Sequence, residues 1–427
     1  MMTINWNEFS DPMVKYGVQL MREINDRGYE AYIVGGAVRD LVMGDKSMND
    51  IDIATNMPID VIKASYHAIN YGGGEKHGTV IVHINGHDYE LTQFRTEDTY
   101  TDGRRPDSVE FVSSFEEDTK RRDFTINAMG VGWDGQVIDF HCGMVDIDAK
   151  VLNTVGEPKD RFTEDALRML RAIRFSARFG FDMSSQVYYA IKDLRFNIRN
   201  VSMERVRDEL LKISSYGSTK LEIAISLMDQ VGLLDVILPE IIYSSRVRYN
   251  LSGAHDITCP IVNLSLLFYG LDKETVSSLC KRLKLDNSTL KGILFCIENV
   301  SNYGRLYSLD RQVSLKLVNN VYFDELREVY KASRNSHDCI PFDLIGVDYE
   351  IATIREFNKI TAFEKNMSGV LMAYMNPGKE FGQVLQIIRD WVFAKFESDS
   401  KVVSLDELER HVERNIDSWR NKCSATN

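Results

Sequence analysis

Apolar residues recur every three to four positions along PMVKYGVQLMREIND, so the chain is expected to begin with an amphipathic helix opened by Pro12, running to about Asp26 and ended by Gly28. EAYIVGG then reads as a short strand running into Gly35 and Gly36, with a second helix from Ala37. MNDIDIATN alternates polar and apolar residues with period two, as a half-buried strand does, which puts Asp50 and Asp52 on one face. Pro58 opens a helix at IDVIKASYHAI. TVIVHINGHDYELTQF predicts two strands joined at Asn85-Gly86, a dipeptide that tolerates the positive φ of a tight hairpin turn, with Glu90 on the returning strand. The loop TEDTYTDGRRPD, the strand SVEFV, the helix SFEEDTKRRDF and a hairpin around Asp134-Gly135 follow. From about Thr163 helical periodicity dominates, through EDALRMLRAIRFSARF, VSMERVRDELLKIS and KLEIAISLMDQVGLL to a capped last helix at SLDELERHVERNI. The pattern predicts a mixed α/β segment over residues 1–150 and an all-helical remainder, with no internal repeat.

With 427 residues, 44% hydrophobic and 27% charged, the chain is not disordered and has the length of about two to four domains. No stretch approaches about eighteen uncharged apolar residues, and MMTINWNEFSDP has neither a basic start nor an apolar core. A soluble, cytoplasmic protein is the expectation. The six cysteines, at 142, 259, 280, 296, 339 and 423, form no C-x-x-C pair, so they are expected as small buried hydrophobes, not zinc ligands or disulfides. The net charge of −12 is uneven: residues 1–150 hold 14 basic against 26 acidic residues, and the remainder 37 of each. A nucleic-acid partner would therefore need local basic faces, while the acidic first third suits carboxylates that hold divalent cations.

Asp50 and Asp52, at i and i+2 directly after a strand–Gly-Gly–helix turn, form the arrangement a two-metal phosphoryl or nucleotidyl transfer site needs, and Glu90 is the natural third carboxylate. Gly35 and Gly36 let backbone N–H groups approach a triphosphate, and Arg39 adds positive charge one turn later. GGGEKHG at 72–78 lacks the Gly-Lys-Ser/Thr of a P-loop and reads as a loop that contains His77. His255-Asp256 is half of a metal-dependent phosphohydrolase pattern without the other half, so a structural histidine is expected there.

Six segments in order, GGAVRDLVMGDKSMNDIDIATN, HGTVIVHINGHDYELTQFR, DGRRPDSVEF, RRDFTINAM, EDALRMLRAIRF and SMERVRDELLKI, resemble the class II CCA-adding enzymes, the tRNA nucleotidyltransferases. The resemblance covers residues 25 to about 240. It implies a polymerase-β-like nucleotidyltransferase head at 1–150, a helical neck at 151–215, a helical body at 216–340 and a helical tail at 341–427. It also implies addition of C, C and A to tRNA 3′ ends from CTP and ATP without a nucleic-acid template, with the acceptor and TΨC arm as partner; membrane and DNA are not expected as partners. On the matching positions Asp50 and Asp52 would hold two Mg²⁺ ions, with Glu90 as third carboxylate. Gly35, Gly36 and Arg39 would serve the triphosphate. Arg121, Arg122 and Asp123 would meet the phosphates and ribose, supported by Asn127, and Arg104 and Arg105 would belong to a flexible loop that helps the switch to A.

The same resemblance assigns base choice to Glu164, Asp165 and Arg168. Asp165 and Arg168, at i and i+3, are expected to face one pocket from one helix. A carboxylate accepts from cytosine N4 or adenine N6 and a guanidinium donates to the adjacent ring nitrogen, whereas G and U place a carbonyl where the amine should be. Two facing acceptors cost roughly 2 kcal/mol or more. Glu164 is expected to orient an arginine, and Arg171 and Arg174 to continue the basic face toward phosphate. Residues 151–215 carry 12 basic against 9 acidic residues, a local excess where RNA and nucleotide would meet. The rival readings are a bacterial poly(A) polymerase, which shares the head but usually lacks an RRPDSV-type segment, an enzyme adding only CC or only A, and a non-catalytic RNA-binding protein on the same scaffold.

Overall fold

The computed structural model describes residues 2–48, 50–69, 78–97, 109–254, 257–334, 346–352, 354–355, 367–399 and 403–424. His77, Arg104, Arg105, His255, Asp256 and Cys339 lie outside the described residues. The chain forms two compact units, Met1–Ile297 with Lys331–Ser333, and Glu298–Tyr330 with Arg334–Asn427. The break between them falls inside the segment 216–340 expected to be one body.

In the first unit, α1 (Pro12–Asp26) starts where the Asp11 side chain accepts from the Met13 N–H, and its buried stripe of Val14, Leu20, Met21 and Ile24 joins the main core. Next come β1 (Ala31–Val34), α2 (Gly36–Val42), β2 (Asp52–Thr55), α3 (Ile59–Ser65), β3 (Ala68–Ile69), β4 (Thr79–Ile84) and β5 (His87–Gln93). The chain continues through β6 (Arg95–Glu97), β7 (Val109–Phe111), α4 (Phe115–Lys120), β8 (Met129–Gly132), β9 (Val137–Asp139) and α5 (Gly143–Ala149). Seven strands form one sheet in the order β3-β4-β5-β2-β1-β8-β9, and β6 pairs with β7. Asn85 and Gly86 both have positive φ, 51° and 86°, as the β4–β5 turn requires.

Two expectations change here. The helix opened by Pro58 stops at Ser65, and Ala68 and Ile69 form a strand instead. β2 begins only at Asp52, and its next three residues are all buried. The reason is its central position: Ile53 packs into the α1 core on one face, while Ala54 packs with Val34, Phe94 and Phe115 on the other. Asp50 therefore precedes the strand instead of sharing it.

The helical part opens with β10 (Val151–Leu152), α6 (Pro158–Glu164), α7 (Leu167–Phe179), β11 (Asp182–Met183), α8 (Ser185–Leu194) and α9 (Met203–Ser215). The single helix expected over EDALRMLRAIRFSARF is broken at Asp165, whose backbone is extended (φ −141°, ψ 101°) and whose Oδ1 accepts from the Leu167 N–H, 3.1 Å. An aspartate that satisfies an orphan N–H of the following helix favours such a break. Helices continue from Ser218–Gln230 to Lys273–Arg282, and Asn287–Tyr303 runs past the boundary of the units. In the second unit, Lys379–Asp399 and Leu405–Ser424 share a core of Leu371, Val384, Ile388, Leu408 and Val412. No described helix is long and apolar enough to cross a membrane. Cys280 and Cys296 are buried as expected, but Cys142 is exposed and Cys259 partly so.

Candidate active site

A cavity of about 430 Å³ in the first unit gathers most of the residues singled out by sequence. The β1–α2 turn contributes Gly35, Gly36 and Arg39, the turn after α4 contributes Arg121, Arg122, Asp123 and Asn127, and Asp165, Arg168 and Arg171 come from the α6–α7 break and α7. Leu167, Phe175 and Arg205 complete the wall. Gly35 sits at φ 73°, ψ −136°, a conformation open to glycine and hardly to any other residue.

The carboxylates stand beside this cavity. Asp52 faces Glu90 across the parallel β2–β5 pair, and a Cβ at Gly35 would lie 4.0 Å from Asp52 Oδ2. Burial of its carboxyl raises Asp52 above the ordinary 3.8, repulsion from Asp50 adds to this, and Arg122 opposes it. Glu90 is raised in turn by burial and by Asp52, with Arg95 opposing. Three acids thus share a field that a divalent cation would relieve. Among the described residues, however, no three His, Cys, Asp or Glu side chains gather closely enough to enclose an ion by themselves. The three-carboxylate cage expected from sequence is not assembled by the protein alone. The donor set still fits Mg²⁺, which is commonly held by one or two carboxylates together with substrate phosphates.

The arginines are held by acids. Asp118, fully buried, accepts from Arg121 Nε and Nη2 (2.9 and 2.8 Å), from Arg122 Nη2 (3.0 Å) and from the Arg95 N–H (3.2 Å). Arg39 Nη1 donates to Asn127 Oδ1 (2.7 Å), and Asn127 Nδ2 donates to Asp123 Oδ1 (3.2 Å). Asp123 Oδ2 accepts from Arg171 Nε (2.8 Å). Phe175 lies under the guanidiniums of Arg174 and Arg171, 4.1 and 5.4 Å away, where the negative face of its ring offsets their crowding. Despite its burial, Asp123 is lowered from 3.8 to about 2, chiefly by the Arg171 guanidinium. Its stabilising contribution should therefore persist well below neutrality and disappear as pH falls from about 4 to about 2. Acid unfolding of Asp123→Asn should lack that component, which a pH-dependent melting series would detect.

The groups at the α6–α7 break are equally constrained. Arg168 Nη1 donates to Glu164 Oε2 (2.6 Å) and to the Arg161 carbonyl (3.3 Å), and its Nη2 donates to the Arg121 carbonyl (3.0 Å). Glu164 thus orients Arg168, as expected. Asp165 accepts a two-pronged contact from Arg205, Nη1 to Oδ1 at 3.1 Å and Nη2 to Oδ2 at 2.8 Å. Asp165 and Arg168 do meet at one cavity, but across a helix break.

Two family models match the chain: “Poly A polymerase head domain” over residues 31–153, and “Probable RNA and SrmB- binding site of polymerase A” over residues 180–244. A CCA-adding enzyme of Bacillus pumilus is 31% identical over 423 residues, 96% of this chain and 97% of that protein. This chain belongs to the CCA-adding enzymes. A CCA-adding enzyme of Leuconostoc mesenteroides is 47% identical over 214 residues, so the matched part spans about half the length of both proteins, 50% here and 52% there. Two solved CCA-adding enzymes share the fold: the Bacillus stearothermophilus enzyme in complex with CTP (TM-score 0.59, 24% identity, 96% of this chain and 100% of that one) and the Thermotoga maritima enzyme with tRNA_CCA (TM-score 0.63, 19% identity, 97% and 100%).

In this CCA-adding enzyme Arg174 is not brought to the cavity. It is buried, with Nε donating to Glu209 Oε2 (2.5 Å) and Nη1 to the Tyr216 hydroxyl (3.1 Å), because it lies on the α7 face packed against α9. Sequence reasoning passed over Asp118, Arg205, Glu209 and Phe175. Asp118 had a readable signal, its i+3 and i+4 spacing to Arg121 and Arg122. Arg205 and Glu209 are themselves i and i+4 on α9, but nothing local shows that they meet α7.

Proposed function

We propose that this member of the CCA-adding enzymes adds C, C and A to tRNA 3′ ends from CTP and ATP with release of pyrophosphate, using the cavity between the β1–α2 turn and α7. The observation that carries this reading is that phosphate-binding donors (Arg39, Arg121, Arg122) and base-reading groups (Asp165, Arg168) line one cavity beside the Asp50–Asp52–Glu90 carboxylates.

The tRNA 3′-hydroxyl attacks the α-phosphorus in line and pyrophosphate leaves. Asp50 and Asp52, with Glu90 beside them, would hold two Mg²⁺ ions, which supply a lowered hydroxyl pKa and charge neutralisation on the leaving group. Gly35 and Gly36 admit the triphosphate close to the backbone, and Arg39, Arg121 and Arg122 donate to its oxygens. Asp123, steadied by Asn127 and Arg171, faces the ribose. Arg168, after its bonds to Glu164, Arg161 and Arg121, keeps its Nε–H and one Nη2 hydrogen for the base. Those two donors suit cytosine N3 and O2, and one suffices for adenine N1, while Asp165 takes the exocyclic amine. Residues 1–150 act as head and 151–215 as neck, the helical remainder engages the acceptor and TΨC arm, and the enzyme works in the cytoplasm.

A tRNA ending at its discriminator base should gain two nucleotides with CTP alone and three with CTP plus ATP, read on a sequencing gel. A long A tail without C incorporation would overturn the reading in favour of poly(A) polymerase. Asp165→Ala should raise UTP and GTP incorporation relative to CTP and ATP by about 30-fold, the equivalent of about 2 kcal/mol of lost discrimination. Unchanged discrimination would remove the pairing scheme.

A further inference from the structure

We propose that Arg205, on α9, is a positioning residue for nucleotide choice: it locks the Asp165 carboxylate so that a single acceptor position is left for the base. This inference rests on the assignment of base choice to Asp165.

The argument is one of lone pairs. A carboxylate has about four acceptor positions, two on each oxygen. Asp165 Oδ1 spends both of its positions, on the Leu167 N–H (3.1 Å) and on Arg205 Nη1 (3.1 Å). Oδ2 spends one, on Arg205 Nη2 (2.8 Å), and keeps one. The two parallel bonds fix the plane of the carboxylate as well as its direction, so the remaining lone pair has one orientation. An exocyclic amine N–H can fill it, whereas a carbonyl oxygen would oppose it. Without Arg205, Asp165 sits on an extended residue between two helices, tied through its side chain to the Leu167 N–H alone. Rotation about χ2 would then let water or a rotated carboxylate accommodate G or U.

The arrangement is built for this purpose by tertiary packing. Arg205 is one turn ahead of Glu209, and the two reach α7 and its start from the same face of α9. Glu209 pins Arg174, and Arg205 pins Asp165 and also lines the cavity. Nothing in the charge count requires this pair, since Asp165 could have capped Leu167 without a guanidinium.

The test is the ratio of UTP to CTP incorporation, and of GTP to ATP incorporation, for Arg205→Met, Arg205→Lys, Asp165→Ala and the double variant Asp165→Ala/Arg205→Met, on tRNA primers lacking the nucleotide to be added. Equilibrium binding of CTP and UTP to the tRNA-free proteins accompanies it. A ratio does not depend on how much of a variant is folded. Arg205→Met should raise both ratios about tenfold or more and narrow the CTP-to-UTP binding preference. Arg205→Lys should fail to restore them, because an ammonium keeps the charge but not the two-pronged grip. The double variant should discriminate no worse than Asp165→Ala, as befits a residue that acts through Asp165. If Asp165→Ala loosens base choice while Arg205→Met leaves the ratios unchanged and merely slows all four nucleotides equally, Arg205 is structural and the inference fails alone. An additive double variant also overturns it. If Asp165→Ala itself leaves the ratios unchanged, the underlying assignment fails and this inference with it.

Discussion

Asp52→Ala is expected to lower nucleotide addition by about 10³-fold or more, while raising the melting temperature of the metal-free chain. The loss of rate follows from removing a carboxylate that would place an ion at the reacting phosphate, a contribution of several kcal/mol at about 1.4 kcal/mol per factor of ten. The gain in stability follows from electrostatics. Asp52 is raised above 3.8 by burial and by Asp50, so its folded form prefers the proton. For a carboxylate raised in the folded state, the associated stability is present below the unfolded value and lost as pH rises through the folded one, so removing Asp52 takes away an unfavourable interaction with Asp50. Mg²⁺ should therefore raise the melting temperature of the wild-type chain, by linkage, more than that of Asp52→Ala. Near-normal turnover of Asp52→Ala would refute the assignment, and an equal Mg²⁺ response in both proteins would place the ions elsewhere.

Asp118→Ala should destabilise the chain by about 3 kcal/mol, since removing one partner of a buried ion pair leaves the other charge uncompensated. Here one carboxylate serves two guanidiniums and a backbone N–H, and it is held below its ordinary value by Arg121 and Arg122 despite its burial. Arg122 itself is pulled down by burial, which Asp118 opposes. Loss of Asp118 would therefore leave Arg121 and Arg122 without the shared carboxylate that fixes their directions at the cavity wall. Activity should fall through a raised KM for CTP and ATP, and denaturant unfolding should show the stability loss at neutral pH. A variant with wild-type stability and KM would show that Arg121 and Arg122 are held by something other than Asp118.

The candidate site was legible wherever chemistry followed short-range spacing. Gly35-Gly36 at a strand–helix turn and the Asp50-x-Asp52 pair could be named because turns and strand alternation mark them locally, whereas the RRD triplet was named only through the family resemblance, and Glu90 only as an acid on another strand. The misplacements have a common origin. Arg174 was expected to continue the basic face toward phosphate because it follows Arg168 and Arg171 along one helix, yet Glu209, 35 residues away, accepts from its Nε–H and holds it inside. Asp165 looked helical because its flanks are good helix formers, yet its side chain caps Leu167 and meets Arg205, 40 residues on.

Periodicity, turn dipeptides and a handful of ordered motifs were enough to specify an α/β head, a helical remainder and the chemical kind of the site, because burial and backbone conformation leave their mark within a few residues. That Arg174 meets Glu209 and Asp165 meets Arg205, where the α6–α7 helix breaks, and how many acceptor positions Asp165 keeps were settled by the packing of α9 against α7, and that Glu90 lies beside Asp52 by the strand order of the seven-stranded sheet. Those pairings join residues far apart in the chain, and a charge carries no record of its partner until the fold has removed the water between them.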